Sequence, residues 1–369
     1  MKTKIIIPSI IVIICLFLFI GCNPSTHVDS TSQDTEIQIV DHLGHEVILS
    51  KPAERVVTTF RPITYFIYAI GGQEKLVGVD SNSTTCPMLL NVYPEIEELP
   101  MVGSKNSGYN IETIISVNPD LVVLHSGDGM DVIAQQLDEQ KIPYITVIPE
   151  TLEDMKDTAV ILGKALGTTE QVDELLDFYD DTLNMIAERT KDIPDSDKKH
   201  VYMTGSDLFK TCTKDLYQNH LIEAAGGINV SGDLTGYFPV VSAEQIIAWN
   251  PDVLFSIYHN FDGSVDSIMK NEQIQSINAI KNNQVYKIPS FLGGWDYPEP
   301  RSALGALFIA KTLYPERFED VDLLEVANQF HTKFYGKSYE YLGGTEDEIL
   351  GKGHLEDGVS TGSTCPNKQ

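Results

Sequence analysis

The chain has 369 residues, enough for two domains with separate cores. Its 26 Lys and Arg stand against 53 Asp and Glu, a formal net charge of −27, which argues against a nucleic-acid partner held through phosphates. The five cysteines have no metal-like spacing and argue against a disulfide framework or a zinc site, leaving one possible pair among Cys86, Cys212 and Cys365.

In chain order, the first zone reads as an export signal. Lys2 and Lys4 precede an apolar run over residues 5–20 that is broken by Pro8 and Ser9 and followed by Gly21 and Cys22. The run is shorter than the roughly 20 residues of a spanning helix, which leaves a spanning anchor as the runner-up. A signal peptide over residues 1–21 is expected, with cleavage before Cys22 and acylation of its thiol. Phe19, in place of the usual Leu, keeps a plain or uncleaved signal as the alternative. Residues 22–36 are polar and read as a flexible tether. The Gly-rich residues 343–369 read as a disordered tail.

Apolar segments at 37–40 and 47–49 flank a turn and predict a hairpin. His42 and His45 in that turn are read as turn residues, because two histidines alone make a poor metal site. Strands are then expected at 56–59, 76–79, 121–124 and 144–147, with helices starting near Pro62, Ile111 and Met130. This alternation implies an N-terminal lobe over residues 37–167 with a mainly parallel sheet. Over residues 168–191, Val172, Leu175, Leu176, Tyr179, Leu183 and Ile186 recur at helical spacing without Gly or Pro, predicting one long helix. A second lobe over residues 192–342 has expected strands at 200–203, 253–257 and 285–288 and helices at 216–225, 243–249 and 301–313.

The second lobe repeats the first. NIETIISVNPDLVVL at 110–124 aligns without gaps on SAEQIIAWNPDVLFS at 242–256, with six of fifteen positions identical. Roughly one identity is expected from composition. Each copy has a polar N-cap, a Glu in the first turn, an Ile pair for the core, Asn-Pro-Asp to stop the helix and a buried strand. Two similar α/β lobes joined by a single long helix is the expected fold.

The segments RVV at 55–57, IGGQEKLVGV at 70–79, NPDLVV at 118–123, AGGINV at 225–230 and VSAEQI at 241–246 carry a resemblance to a known family. In order and spacing they resemble the solute-binding proteins of ABC importers for ferric siderophores, haem and cobalamin. Members have two Rossmann-like lobes on a rigid helix, the class III arrangement. The resemblance covers about residues 37–315. It implies that Glu112 and Glu244, equivalent in the internal repeat, dock on arginines of the permease dimer. First-turn helix stabilisation is the structural alternative for both.

The ligand is expected between the lobes, in loops after the strands. Those loops supply Phe60, Arg61, Tyr65 and His125 from the first lobe and Tyr237, Phe238, Tyr258, His259, Trp295, Tyr297 and Arg301 from the second. Aromatics suit apolar bulk and Arg suits anionic oxygens. For Trp295 and Tyr297, core packing competes. The resemblance implies a metal chelate as cargo, first a ferric siderophore and then cobalamin, with haem or an oxyanion after them, and no resident cofactor. It further implies a monomer tethered through Cys22 at the outer face of the cytoplasmic membrane, facing a periplasm where a second membrane exists. No nucleophile elbow, zinc-protease motif, Walker loop or dinucleotide fingerprint supports the rival reading as an enzyme. A surface lipoprotein without a cleft is the other rival.

Overall fold

The computed structural model describes residues 36–352, apart from residues 106, 128 and 258–263. The predicted hairpin forms: β1 (Ile37–Val40) pairs antiparallel with β2 (Glu46–Leu49) and buries Ile39, Val47 and Leu49. Asp41 closes the turn by accepting from Leu43 N and His45 N at 2.9 Å and ties it to the lobe by accepting from Thr146 N at 2.8 Å. His42 Nδ1 accepts from Ile148 N at 2.7 Å and His45 stacks on Tyr144, so both histidines serve the turn.

The first lobe comprises β3 (Val56–Thr58), α1 (Arg61–Ala69), β4 (Leu76–Gly78), α2 (Pro87–Val92), β5 (Gly103–Ser104), β6 (Gly108–Tyr109), α3 (Ile111–Ser116), β7 (Leu121–His125), α4 (Met130–Gln140) and β8 (Tyr144–Val147). Its main sheet is parallel throughout, in the order β4-β3-β7-β8. Helix α5 (Leu152–Leu166) was not among the expected elements, although Thr151 caps it by accepting from Asp154 N at 3.0 Å. The linking helix α6 (Thr169–Thr190) has 22 residues, about 33 Å at 1.5 Å per residue, and buries Val172, Leu175, Tyr179 and Ile186.

The second lobe comprises β9 (His200–Met203), α7 (Tyr217–Ala224), β10 (Ile228–Asn229), α8 (Ala243–Trp249), β11 (Val253–Ser256), α9 (Val265–Met269), α10 (Asn278–Lys281), β12 (Val285–Lys287), α11 (Ser302–Leu313), α12 (Leu323–Tyr335) and α13 (Glu346–Ile349). Its sheet is also all parallel, in the order β10-β9-β11-β12. Both lobes therefore follow the same strand order, second-first-third-fourth, which is what duplication of one unit produces.

The repeat is legible atom by atom. Asn110 and Ser242 cap α3 and α8 by accepting from Thr113 N at 3.1 Å and Gln245 N at 3.2 Å. Asn118 and Asn250 turn the chain in the left-handed region, at φ 46° and 45°. Asp120 then accepts from Arg55 N at 2.8 Å, and Asp252 from His200 N at 3.0 Å. In each lobe the Asp of Asn-Pro-Asp thus ties its strand to the neighbouring one. The Ile pair differs from expectation: Ile114 and Ile246 are fully buried, but Ile247 is 39% exposed and Ile115 half-buried. A short helix turns only one side-chain row toward the sheet.

The expected disordered tail is also corrected in part. Residues 343–352 fold against the second lobe through α13, burying Glu348 and Ile349, because the Glu348 carboxylate satisfies the backbone that leaves β12. Residues 353–369, with Cys365, lie outside the described residues, as does Cys22. Cys86 and Cys212 are both buried and neither forms a disulfide. Among the described residues no helix is long and apolar enough to cross a membrane.

Candidate functional site

Loops that follow strands of both sheets meet through Phe60 and Tyr297, and the space at these carboxyl ends, where doubly wound sheets carry their sites, is the candidate cleft. Thr59, Phe60 and Arg61 follow β3, Asp80 follows β4 and His125 ends β7. Phe60 stacks on His125 with ring centroids 4.7 Å apart, and Tyr109 stands 5.9 Å from His125 on another side. Tyr109 Oη donates to Thr59 O at 2.9 Å, and Thr59 Oγ1 lies 3.3 Å from His125 Nδ1. Tyr297 from the second lobe meets Phe60 with ring centroids 6.2 Å apart. The two lobes therefore touch across an aromatic floor.

The electrostatics of this floor follow from burial. Burial, with the Lys105 cation adding to it, pushes the His125 imidazole down to about 4, so the ring is neutral at physiological pH. Burial and then Asp80 hold the Tyr109 hydroxyl above its usual range, so it remains a donor. Burial pushes the Asp80 carboxyl up to about 6 against the hydrogen bond from Ser83 and the charge of Arg61. Arg61, partly exposed at the start of α1, also acts on Glu299 across the lobes. Arg61 thus brings positive charge to both Asp80 and Glu299.

Three expected ligand contacts are instead core residues. Arg301 is fully buried: its guanidinium pairs with Glu299 at 2.5 Å, donates to Leu292 O and Met88 Sδ, and lies 4.5 Å over the Tyr65 ring. Gly293, at φ 124°, makes room for it, since a Cβ there would stand 2.5 Å from Arg301 Nη2. Tyr65 is 2% exposed with its hydroxyl 2.9 Å from Cys86 Sγ, and Trp295 is 1% exposed against Tyr339. An Arg expected to meet an anionic ligand has found its carboxylate two residues away. The cluster fastens the lobes, because Met88 and Tyr65 belong to one and Glu299 and Arg301 to the other.

Tyr237 is 82% exposed at the rim, edge-on to half-buried Phe238, which is held at φ 45°. Tyr258 and His259 lie outside the described residues. Asp80, Tyr109 and Glu299 carry no expectation from the sequence; Asp80 directly follows the IGGQEKLVGV run, whereas nothing local marks Tyr109. Among the described residues no three His, Cys, Asp or Glu side chains are placed to hold a metal ion. A separate cavity of about 610 Å³ lies at the opposite end of the second sheet, lined by Lys199, Asp252 and Gln284 just ahead of β9, β11 and β12. None of its lining residues belongs to the loops that carry Phe60, His125 or Tyr297. Glu112 and Glu244 are exposed in the first turns of α3 and α8, one on each lobe.

The model of the periplasmic binding protein family matches residues 56–292. The chain belongs to that family. Over 328 residues this periplasmic binding protein is 26% identical to the molybdate-binding protein MolA of Haemophilus influenzae, covering 83% of this chain and 90% of MolA. It is 28% identical over 314 residues to the ABC transporter substrate-binding lipoprotein YvrC of Bacillus subtilis, covering 81% of this chain and 94% of YvrC. The solved structure of MolA bound to molybdate superposes with a TM-score of 0.72 at 26% identity, covering 82% of this chain and 98% of MolA. The class III fold and the role as an extracytoplasmic solute-binding component of an ABC importer follow.

The buried histidines give this periplasmic binding protein an acid sensitivity. Burial, then the Arg301 charge, pushes His331 down to about 3. Both His125 and His331 are neutral when folded and protonate near pH 6.5 when unfolded. The unfolded chain then binds more protons, so stability is fully present above pH 6.5 and is lost as pH falls toward 4 for His125 and 3 for His331. Each contributes a slope approaching roughly 1.4 kcal/mol per pH unit. Urea unfolding from pH 7 to pH 4.5 will show a smaller loss in His331→Gln than in the parent; equal losses would refute the assignment.

Proposed function

We propose that the protein is the lipid-tethered receptor of its importer and that it takes an anionic, metal-centred solute, a compact metal oxyanion of the molybdate kind ahead of a ferric chelate. The observation that carries this reading is the contact of Phe60 with Tyr297 across the floor, beside the Arg61 cation. Beside these rings a small anion would find charge at Arg61 and a neutral hydrogen-bonding ring at His125. The similarity to molybdate-binding MolA supports the same cargo class.

A ferric chelate, which the sequence put first, is the second reading, favoured by the exposed Tyr237 beside Phe238 on the rim. Calorimetric titration of the protein with molybdate, tungstate, sulfate, a ferric catecholate and cobalamin separates these cases. Saturable binding of molybdate and tungstate with Kd below about 1 μM is expected, with sulfate weaker by about a hundredfold. Binding of the ferric chelate or cobalamin without molybdate would overturn the oxyanion, and turnover of any of them would overturn the receptor. The tether through Cys22 is supported by the Gly21-Cys22 signal pattern and by the lipoprotein relative. A Cys22→Ser chain that stays in the membrane fraction like its parent would refute it.

A further inference from the structure

Residues 343–352 lie beyond the stretch matched by the family model and pack against the loop, residues 288–301, that carries Tyr297 to the cleft. The contact is polar and buried. Glu348, 2% exposed, accepts from Ser290 N at 2.6 Å and from Phe291 N on one carboxylate oxygen, and from Tyr339 Oη at 2.6 Å on the other. Lys287 N donates to Gly351 O at 2.7 Å just before the loop. Gly343, at φ 99°, lets the Phe291 ring approach to where a Cβ would stand 2.8 Å from it. Trp295 within the loop packs on Tyr339, ring centroids 5.7 Å apart.

We propose that Glu348 is a positioning residue of the cleft: it fixes the first turn of the loop and thereby the solute-facing ring of Tyr297. Two consecutive amides converging on one carboxylate make charge-assisted bonds, which are short and directional. The same carboxylate fixes Tyr339, and Tyr339 fixes Trp295, so both ends of the turn share one support. Without Glu348 the turn that leaves β12 loses the carboxylate that aligns its first amides, which loosens the path to Tyr297. A site held to within a fraction of an ångström depends on such supporting contacts.

The proposal rests on the cleft being the solute site, and the test keeps the two questions apart. The chain has two tryptophans, so Trp249→Phe leaves Trp295 as the only indole reporter. In that background, Glu348→Ala is expected to raise iodide quenching of Trp295 about threefold, to speed amide exchange over residues 290–297 and to weaken sodium molybdate binding about tenfold. Glu348→Gln, which keeps an acceptor for the amides, stays within about threefold of the parent in affinity. Unchanged quenching and loop exchange in Glu348→Ala would overturn the proposal. So would exchange that rises equally in β7 of the other lobe, since that is general destabilisation. If the parent protein does not bind molybdate, the oxyanion reading fails, while quenching and loop exchange still decide the role of Glu348.

Discussion

Uptake is expected to fall at least about tenfold in a Glu112→Ala/Glu244→Ala double variant, while the isolated protein keeps its solute affinity. The two carboxylates are exposed, stand at the same position of duplicated helices, and are in no ion pair among the described residues. Glu244 is held below the usual carboxylate range by its own backbone amide and by Ser242, so it is ionised over the whole physiological range. Two like charges related by the repeat suit a partner that is itself a pair of similar subunits. Removing both carboxylates takes the charge complementarity away from such an interface, whereas the isolated helices lose only a weak first-turn stabilisation. Transport assays in cells or reconstituted vesicles, run beside solute titrations of the same variants, check this. Normal uptake by the double variant would remove the docking role and leave the two residues as helix-end charges.

Arg301→Ala destabilises the fold by about 3–5 kcal/mol, the usual consequence of leaving one member of a buried pair alone. Burial works against the Arg301 charge, but the Glu299 carboxylate beside it outweighs that and raises the guanidinium pKa. Burial pushes Glu299 up to about 7 in spite of Arg301, so without the cation its ionised form would be costlier still. The cation also faces Tyr65 at 4.5 Å and Tyr335 at 5.9 Å, which adds about 2 kcal/mol for a desolvated cation–π contact. The loss therefore includes the contact between lobes as well as the ion pair. Urea unfolding measures it directly. A Glu299→Leu/Arg301→Met double variant is expected to recover most of the loss, because replacing both partners leaves no buried charge alone. A single variant as stable as the parent would show that the pair does not fasten the lobes.

The same residue shows where sequence reasoning stopped. An Arg beside aromatic loop residues reads as a ligand for anions. Only the close approach of Met88 and Tyr65 from the other lobe encloses the pair, and nothing local in the chain encodes that approach. Trp295 misleads for the same reason, since a Trp in a Gly-rich loop looks available until Tyr339, forty-odd residues on, covers it. The tail misleads through composition: residues 343–352 are polar and Gly-rich, yet Glu348 finds two loop amides, and a buried carboxylate with enough donors orders a segment that hydrophobicity would not.

What the sequence determined by itself is local or periodic. It held the parallel strands, the uninterrupted linking helix, the duplicated cap, turn and strand unit, and the matched positions of Glu112 and Glu244, because each depends on neighbours within about one element. The tertiary structure decided which loop residues face the cleft and which face each other. Phe60, His125, Tyr109 and Tyr297 became its floor while Arg301, Tyr65 and Trp295 became its support, since burial and pairing depend on contacts between segments far apart in the chain.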